Sequence, residues 1–119
     1  MKINDYKDLL VWQKGIEIVD KVYIVTSVFP KNELFGLTSQ MRRCAVSIPS
    51  NIAEGFGRRY TNEYIRFLYI ALGSCAELET QIIISQRRKY ISPQNAQEII
   101  IILNQESRML SGLISKLRT

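Results

Sequence analysis

Histidine is missing from this sequence altogether. That excludes histidine triads, histidine general bases and histidine metal ligands together. Only two cysteines occur, Cys44 and Cys75. Two thiols cannot build a four-cysteine zinc site, and they do not suggest a secreted disulfide scaffold. Long aliphatic runs are lacking too. The stretch Ile99 to Leu103 has five residues, where a membrane-spanning helix needs about 20. Met1-Lys2-Ile3-Asn4-Asp5 leads into polar sequence without the apolar region of a signal peptide. These absences predict a cytoplasmic protein with no cofactor, no metal site and no membrane contact.

What is present suits one globular domain. The 119 residues are 46% hydrophobic and 23% charged, which is ordinary for a folded chain. That is enough for one core and too short for two. Sixteen Lys and Arg oppose eleven Asp and Glu, a net charge of +5. The excess permits a nucleic-acid or acidic partner without requiring one.

Three prolines and six glycines leave few places to break the chain. The breaks fall at Phe29-Pro30-Lys31-Asn32, at Gly55 to Asn62, and at Lys89 to Pro93. Pro30 removes a backbone donor and pushes Phe29 out of the helical region. The segments between predict helices over about 8–28, 33–56, 61–89 and 93–117, all within a single domain, 1–119. Asp5 or Asp8 is expected to cap the first. It carries two apolar stripes, Leu9-Trp12-Ile16-Val19-Tyr23-Thr26 and Val11-Ile18-Val22-Val25-Phe29. Pro49 lies inside the second and predicts a kink. The third carries Ile65, Leu68, Leu72, Cys75 and Ile82 on one stripe. Ser92-Pro93 opens the fourth as an N-cap with proline at the first position. Its seam is Ala96, Ile99, Leu103, Glu106, Leu110, Leu113 and Leu117. The isoleucine runs favour strand locally, but no alternation or hairpin turn accompanies them. The expected fold is all-α, an antiparallel up-down-up-down four-helix bundle.

Several segments are more specific. Asp8-Leu9-Leu10-Val11-Trp12-Gln13-Lys14 opens the first helix, and Phe29 to Leu37 makes the first turn. Gln40 to Gly55, with Ser47-Ile48-Pro49-Ser50-Asn51-Ile52-Ala53-Glu54-Gly55 its most specific part, fills the second. Phe67 to Ser74 and Glu77 to Gln81 mark the third. From about Asp5 to Gln86 the chain resembles the four helix bundle protein family, also called 23S rRNA intervening-sequence proteins. The last helix matches only in length and amphipathicity. The resemblance implies a helical bundle assembled as a homopentamer, without enzymatic activity. A similar protein serves diversity-generating retroelements, where a basic pentameric barrel binds nucleic acid and a reverse transcriptase. Gly15 and Cys44 stand where the family pattern leads one to expect alanine.

The charge is unevenly spread. Residues 35–60 hold Arg42, Arg43, Arg58 and Arg59 against Glu54 alone. Arginine suits phosphate, because its planar fork donates two parallel hydrogen bonds. With Arg66 and the Arg87-Arg88-Lys89 run, these residues form the candidate nucleic-acid surface. The 57–60 loop and the 87–89 run are expected at opposite ends of the third helix. A cyclic oligomer would repeat each as a ring. Tyr60 and Tyr64 stand ready to stack on bases. Solvated helix-end charge is the plainer alternative.

Arg43, Ser47, Asn51, Glu54 and Arg58 share one face of the second helix, and Glu54 precedes Arg58 in the favourable i,i+4 order. The resemblance tilts this face, with Asn51 and Glu54, toward a subunit interface. Trp12, Tyr23 and Tyr69 read as core or interface aromatics, and Cys44 and Cys75 as small buried apolar groups. Glu77 and Glu79 point apart on a helix and have no histidine to join them, which argues against a metal site.

The leading functional reading is a non-enzymatic oligomeric bundle that binds nucleic acid: structured RNA such as ribosomal RNA, a ribonucleoprotein, or DNA. A protein-interaction scaffold is the second. A cofactor-free enzyme is the third, and it requires a buried pocket where Arg42 or Arg43 meets Gln40 or Gln81.

Overall fold

The chain folds into four α-helices in this computed structural model, which describes residues 3–119. They are α1 (Leu10–Thr26), α2 (Leu37–Phe56), α3 (Thr61–Arg87) and α4 (Pro93–Arg118). Among the described residues there is no strand. Single-turn 3₁₀ helices at Tyr6–Asp8 and Lys31–Glu33 stand where longer α-helices were expected to begin. Asp5 caps the first of these turns, accepting from the Lys7 N–H at 2.9 Å. α1 itself begins at Leu10, with Leu9 before it offering no side-chain cap. Ser92 caps α4 by accepting from the Asn95 N–H, and Pro93 takes the first helical position.

Helices adjacent in the chain pack together, and α4 closes back onto α1. Between α1 and α2, α2 and α3, and α1 and α4 the contacts run in opposite order along the two helices. Gly15 meets Pro49, while Thr26 receives the Arg42 Nε–H. Gly55 lies against Phe67, Ser47 Oγ bonds Ser74 Oγ, and Met41 meets Ser85. Lys14 reaches Gln105, and Lys21 pairs with Glu98.

Side chains of all four helices make the core, with Ile18, Ile48, Ile52, Leu68, Leu78 and Leu103 buried almost completely. On α1 the stripe of Val11, Ile18 and Val22 turns fully inward, while the other is split, with Leu9, Trp12 and Val19 packed partly buried against the core. Val11, Gly15, Ile18, Val22 and Thr26 are buried, whereas Ile16, Tyr23 and Ile24 are exposed. On α4 the seam passes from Leu110 to Ile114 and not to Leu113. A straight helix repeats every 3.6 residues, so a strict heptad drifts off the buried face. α2 runs unbroken through Pro49, whose buried ring packs on Gly15. Gly15 therefore serves close packing, which accounts for a residue unfavourable inside a helix.

α3 corrects the reading taken from run length. Over Thr61–Arg87 it holds an 18-residue window of mean hydropathy 1.4, long and apolar enough by composition to cross a membrane. Here its stripe of Leu68, Ala71, Cys75, Leu78 and Ile82 is buried in the bundle core.

Candidate functional site

The fold redistributes the basic residues by end. Arg42 and Arg43 follow Met41, which touches Ser85 near the close of α3. They therefore share an end with Arg87, Arg88 and Lys89. Arg58, Arg59 and Arg66 stand at the other end, with Arg118 of α4, whose guanidinium lies 5.4 Å from the Tyr69 ring centre. The chain-order grouping of Arg42 and Arg43 with Arg58 and Arg59 does not survive folding.

The side chains differ in freedom. Arg42 is half-buried: its Nε donates to Thr26 Oγ1 at 2.9 Å, and its guanidinium carbon lies 4.7 Å from the centre of the Tyr23 ring. Arg58 pairs with Glu54 at 2.9 Å, one turn earlier on α2. Arg58 and Arg66 both reach the Phe67 ring, at 4.8 and 5.1 Å from its centre. Arg59 lies 5.6 Å from the Tyr60 ring. Among the described residues Arg43, Arg59, Arg66, Arg87 and Arg88 are exposed and pair with no carboxylate.

Lys89 has a structural duty besides its charge. Its φ is 63°, left-handed backbone in a non-glycine residue. The Lys89 N–H bonds the Gln86 carbonyl and the Tyr90 N–H bonds the Ser85 carbonyl. This is the Schellman closure of a helix, with lysine where glycine is usual. Tyr90 then packs on Phe29 and donates to Glu33 Oε2 at 3.0 Å. The other oxygen of Glu33 accepts from the Leu37 N–H. One carboxylate thus ties the start of α2 to the end of α3.

The aromatics divide. Tyr60 is exposed beside Arg59. Tyr64 is not available to bases, because it packs edge-on against Phe56 and onto Gly55. Tyr23 and Tyr69 are surface residues under arginines, not core. Trp12 is half-buried against Tyr6. Asn51 donates to the Ser47 carbonyl at 2.7 Å, so Asn51 finds its partner within α2 and Glu54 finds Arg58 just beyond its end. Cys44 and Cys75 are buried free thiols, each pushed up to about 12 by burial.

Two open grooves flank Arg43. One, of about 600 Å³, is lined by Tyr23, Leu34, Phe35, Arg42 and Val46 among others. Phe35 is 94% exposed at its edge. The other holds Gln40, Ser47, Asn51, Ser74 and Glu77. Arg43 and Gln40 do meet here, but in a surface groove and not in the buried pocket that the enzyme reading requires. Among the described residues no cluster of His, Cys, Asp or Glu is fit to hold a metal. Two features escaped the sequence reading. Phe35 lay in a turn without periodicity, and Glu106 was visible only as an acid on an apolar seam.

The model of one protein family, 23S rRNA-intervening sequence protein, matches residues 7–112. The chain belongs to that family. The match continues into α4, well past the Gln86 limit of the sequence resemblance. A crystal structure from the S23 ribosomal protein family, a Bacteroides thetaiotaomicron protein of unknown function, superposes with a TM-score of 0.82. At 22% identity, with 89% of this chain and 96% of that one covered, it shows a shared fold. No curated protein matches the chain. Neither description names a reaction.

Proposed function

We propose that the chain is a non-enzymatic, oligomeric helical bundle that binds nucleic acid, structured RNA foremost, through its unpaired arginines. The observation that carries this reading is the set Arg43, Arg59, Arg66, Arg87 and Arg88, exposed and without carboxylate partners among the described residues. Free guanidinium groups at both ends of one subunit give a cyclic assembly two basic rings, and repetition multiplies weak contacts. The reversed contact order between neighbouring helices supports an up-down-up-down arrangement. Phe35, exposed beside an apolar groove, supports assembly into a ring, with five subunits the number expected from the family resemblance. A cytosolic location accords with these contacts.

The test is fluorescence anisotropy of labelled structured RNA and DNA against salt. Binding is expected to weaken log-linearly as salt rises, with a slope that counts the phosphates engaged. Arg59→Ala with Arg58→Ala lowers that slope if this end binds, and an unchanged slope removes both residues from the surface. No binding at low salt defeats the reading as a whole. The Phe35 groove also supports a second reading, a scaffold for protein partners. Capture of a partner that survives nuclease treatment favours it.

A further inference from the structure

Glu106 is the one fully buried acid among the described residues, set on α4 between Leu103 and Leu110. Neither of its carboxylate oxygens has a hydrogen-bond partner. Buried polar groups are nearly always paired, and an unpaired buried charge is the costliest exception. A carboxyl in that position avoids the penalty by keeping its proton, which also turns it into a donor.

A carbonyl on α2 is short of its usual partner. Pro49 has no N–H, so the buried Ala45 carbonyl lacks its helical i+4 donor. The Pro49 ring lies 3.3 Å from the point a Cβ on Gly15 would occupy, and Glu106 Oε2 lies 3.4 Å from that same point. Gly15 thus opens a gap on α1 into which α2 brings its proline and α4 its acid.

The ionisable surroundings are few. α1 supplies Lys14, already engaged by Gln105 at 3.2 Å and Glu17 at 4.0 Å. α3 supplies the Cys75 thiol. α2 brings Pro49 and Ala45, which carry no charge, and Arg108 on α4 itself is exposed. Burial pushes the Glu106 carboxyl up to about 8, against a smaller opposing pull from Lys14.

We propose that Glu106 is held as the neutral acid and donates its O–H to the Ala45 carbonyl, latching α4 to the proline turn of α2 for as long as the proton stays. Loss of the proton to solvent leaves a carboxylate facing a carbonyl oxygen, two acceptors with no hydrogen between them. The sign follows. The folded state holds this proton more tightly than the unfolded chain, whose ordinary value is 4.5. The stability this proton contributes is therefore complete below about 4.5 and is lost as pH rises to about 8, where the latch itself opens. Within that window the unfolding constant grows roughly tenfold per pH unit, and it levels off above.

The test is denaturant unfolding of the full chain between about pH 5.5 and pH 9. The wild type is expected to lose stability up to about pH 8. Glu106→Gln keeps the shape and donates through its amide at every pH, so its profile is expected to be flat. A Glu106→Gln profile that falls like the wild type overturns the proposal. Should that variant fail to fold, the ¹³C resonance of the wild-type carboxyl decides. A neutral acid at pH 7 supports the proposal, and an ionised one overturns it. Pro49→Ala returns an N–H to the Ala45 carbonyl and is expected to lower the Glu106 midpoint. An unmoved midpoint there removes Ala45 as the acceptor and overturns the latch.

Discussion

A Cβ placed on Gly55 of α2 would stand 2.6 Å from the Cβ of Phe67 on α3. It would also meet the Tyr64 carbonyl at 3.2 Å. The contact is with stem and backbone, which cannot swing aside. Glycine here sets the spacing of two helices.

Gly55→Ala is therefore expected to destabilise the fold by about 1–3 kcal/mol, the usual range for overpacking, despite alanine's better helix propensity. Chemical denaturation measures it. A gain in stability would mean that α2 and α3 lie farther apart than described.

Lys89 offers the opposite case. Its left-handed backbone strains any residue with a side chain, by about 1–2 kcal/mol. Lys89→Gly is expected to stabilise the chain by about 1 kcal/mol while removing one charge from the basic end. Urea midpoints read the first effect and the RNA salt slope the second. A variant that is both more stable and weaker in binding separates the two roles of Lys89.

The ion pair between Glu54 and Arg58 is exposed, so Glu54→Gln should change stability by no more than about 0.5 kcal/mol. The same change frees a guanidinium, and affinity for RNA at low salt should rise. Equal affinity before and after would place Arg58 outside the bound surface.

The two thiols should be inert at pH 8 in the native chain, since the thiolate is the reactive form and burial pushes both up to about 12. A chromogenic disulfide reagent should label them only after denaturation. Their raised values also mean that stability is lost as pH climbs from 9 toward 12, a window above that of Glu106. Prompt labelling of native protein would contradict the burial of Cys44 or Cys75.

Much of the architecture was legible because Pro30, Gly36, Gly57 and Pro93 fall between helices or at a helix start, while the lone glycines inside the helices, Gly15, Gly55, Gly73 and Gly112, interrupt none of them. Pro30 and Pro93 mark real boundaries, and Pro49 does not. Which stripe of α1 faces inward was not legible. Both stripes are apolar, and only the neighbouring helices select Val11, Ile18 and Val22 over Ile16 and Tyr23. The charge map takes its spatial form only from the fold. Sequence distance groups Arg42 and Arg43 with Arg58 and Arg59, while a helix of 20 residues carries them to opposite ends. Arg42 showed nothing in sequence of its tie to Thr26, because that bond joins two helices.

The shared approach of Arg58 and Arg66 to Phe67 has an entropic consequence. A solvated arginine gives up about 2 kcal/mol of rotamer freedom when it is fixed. Side chains already resting on a ring have surrendered part of that freedom during folding. An anion docking at that end meets guanidinium groups set in advance, whereas Arg87 and Arg88 must be ordered on arrival. The two ends of the bundle, similar in charge, therefore differ in readiness.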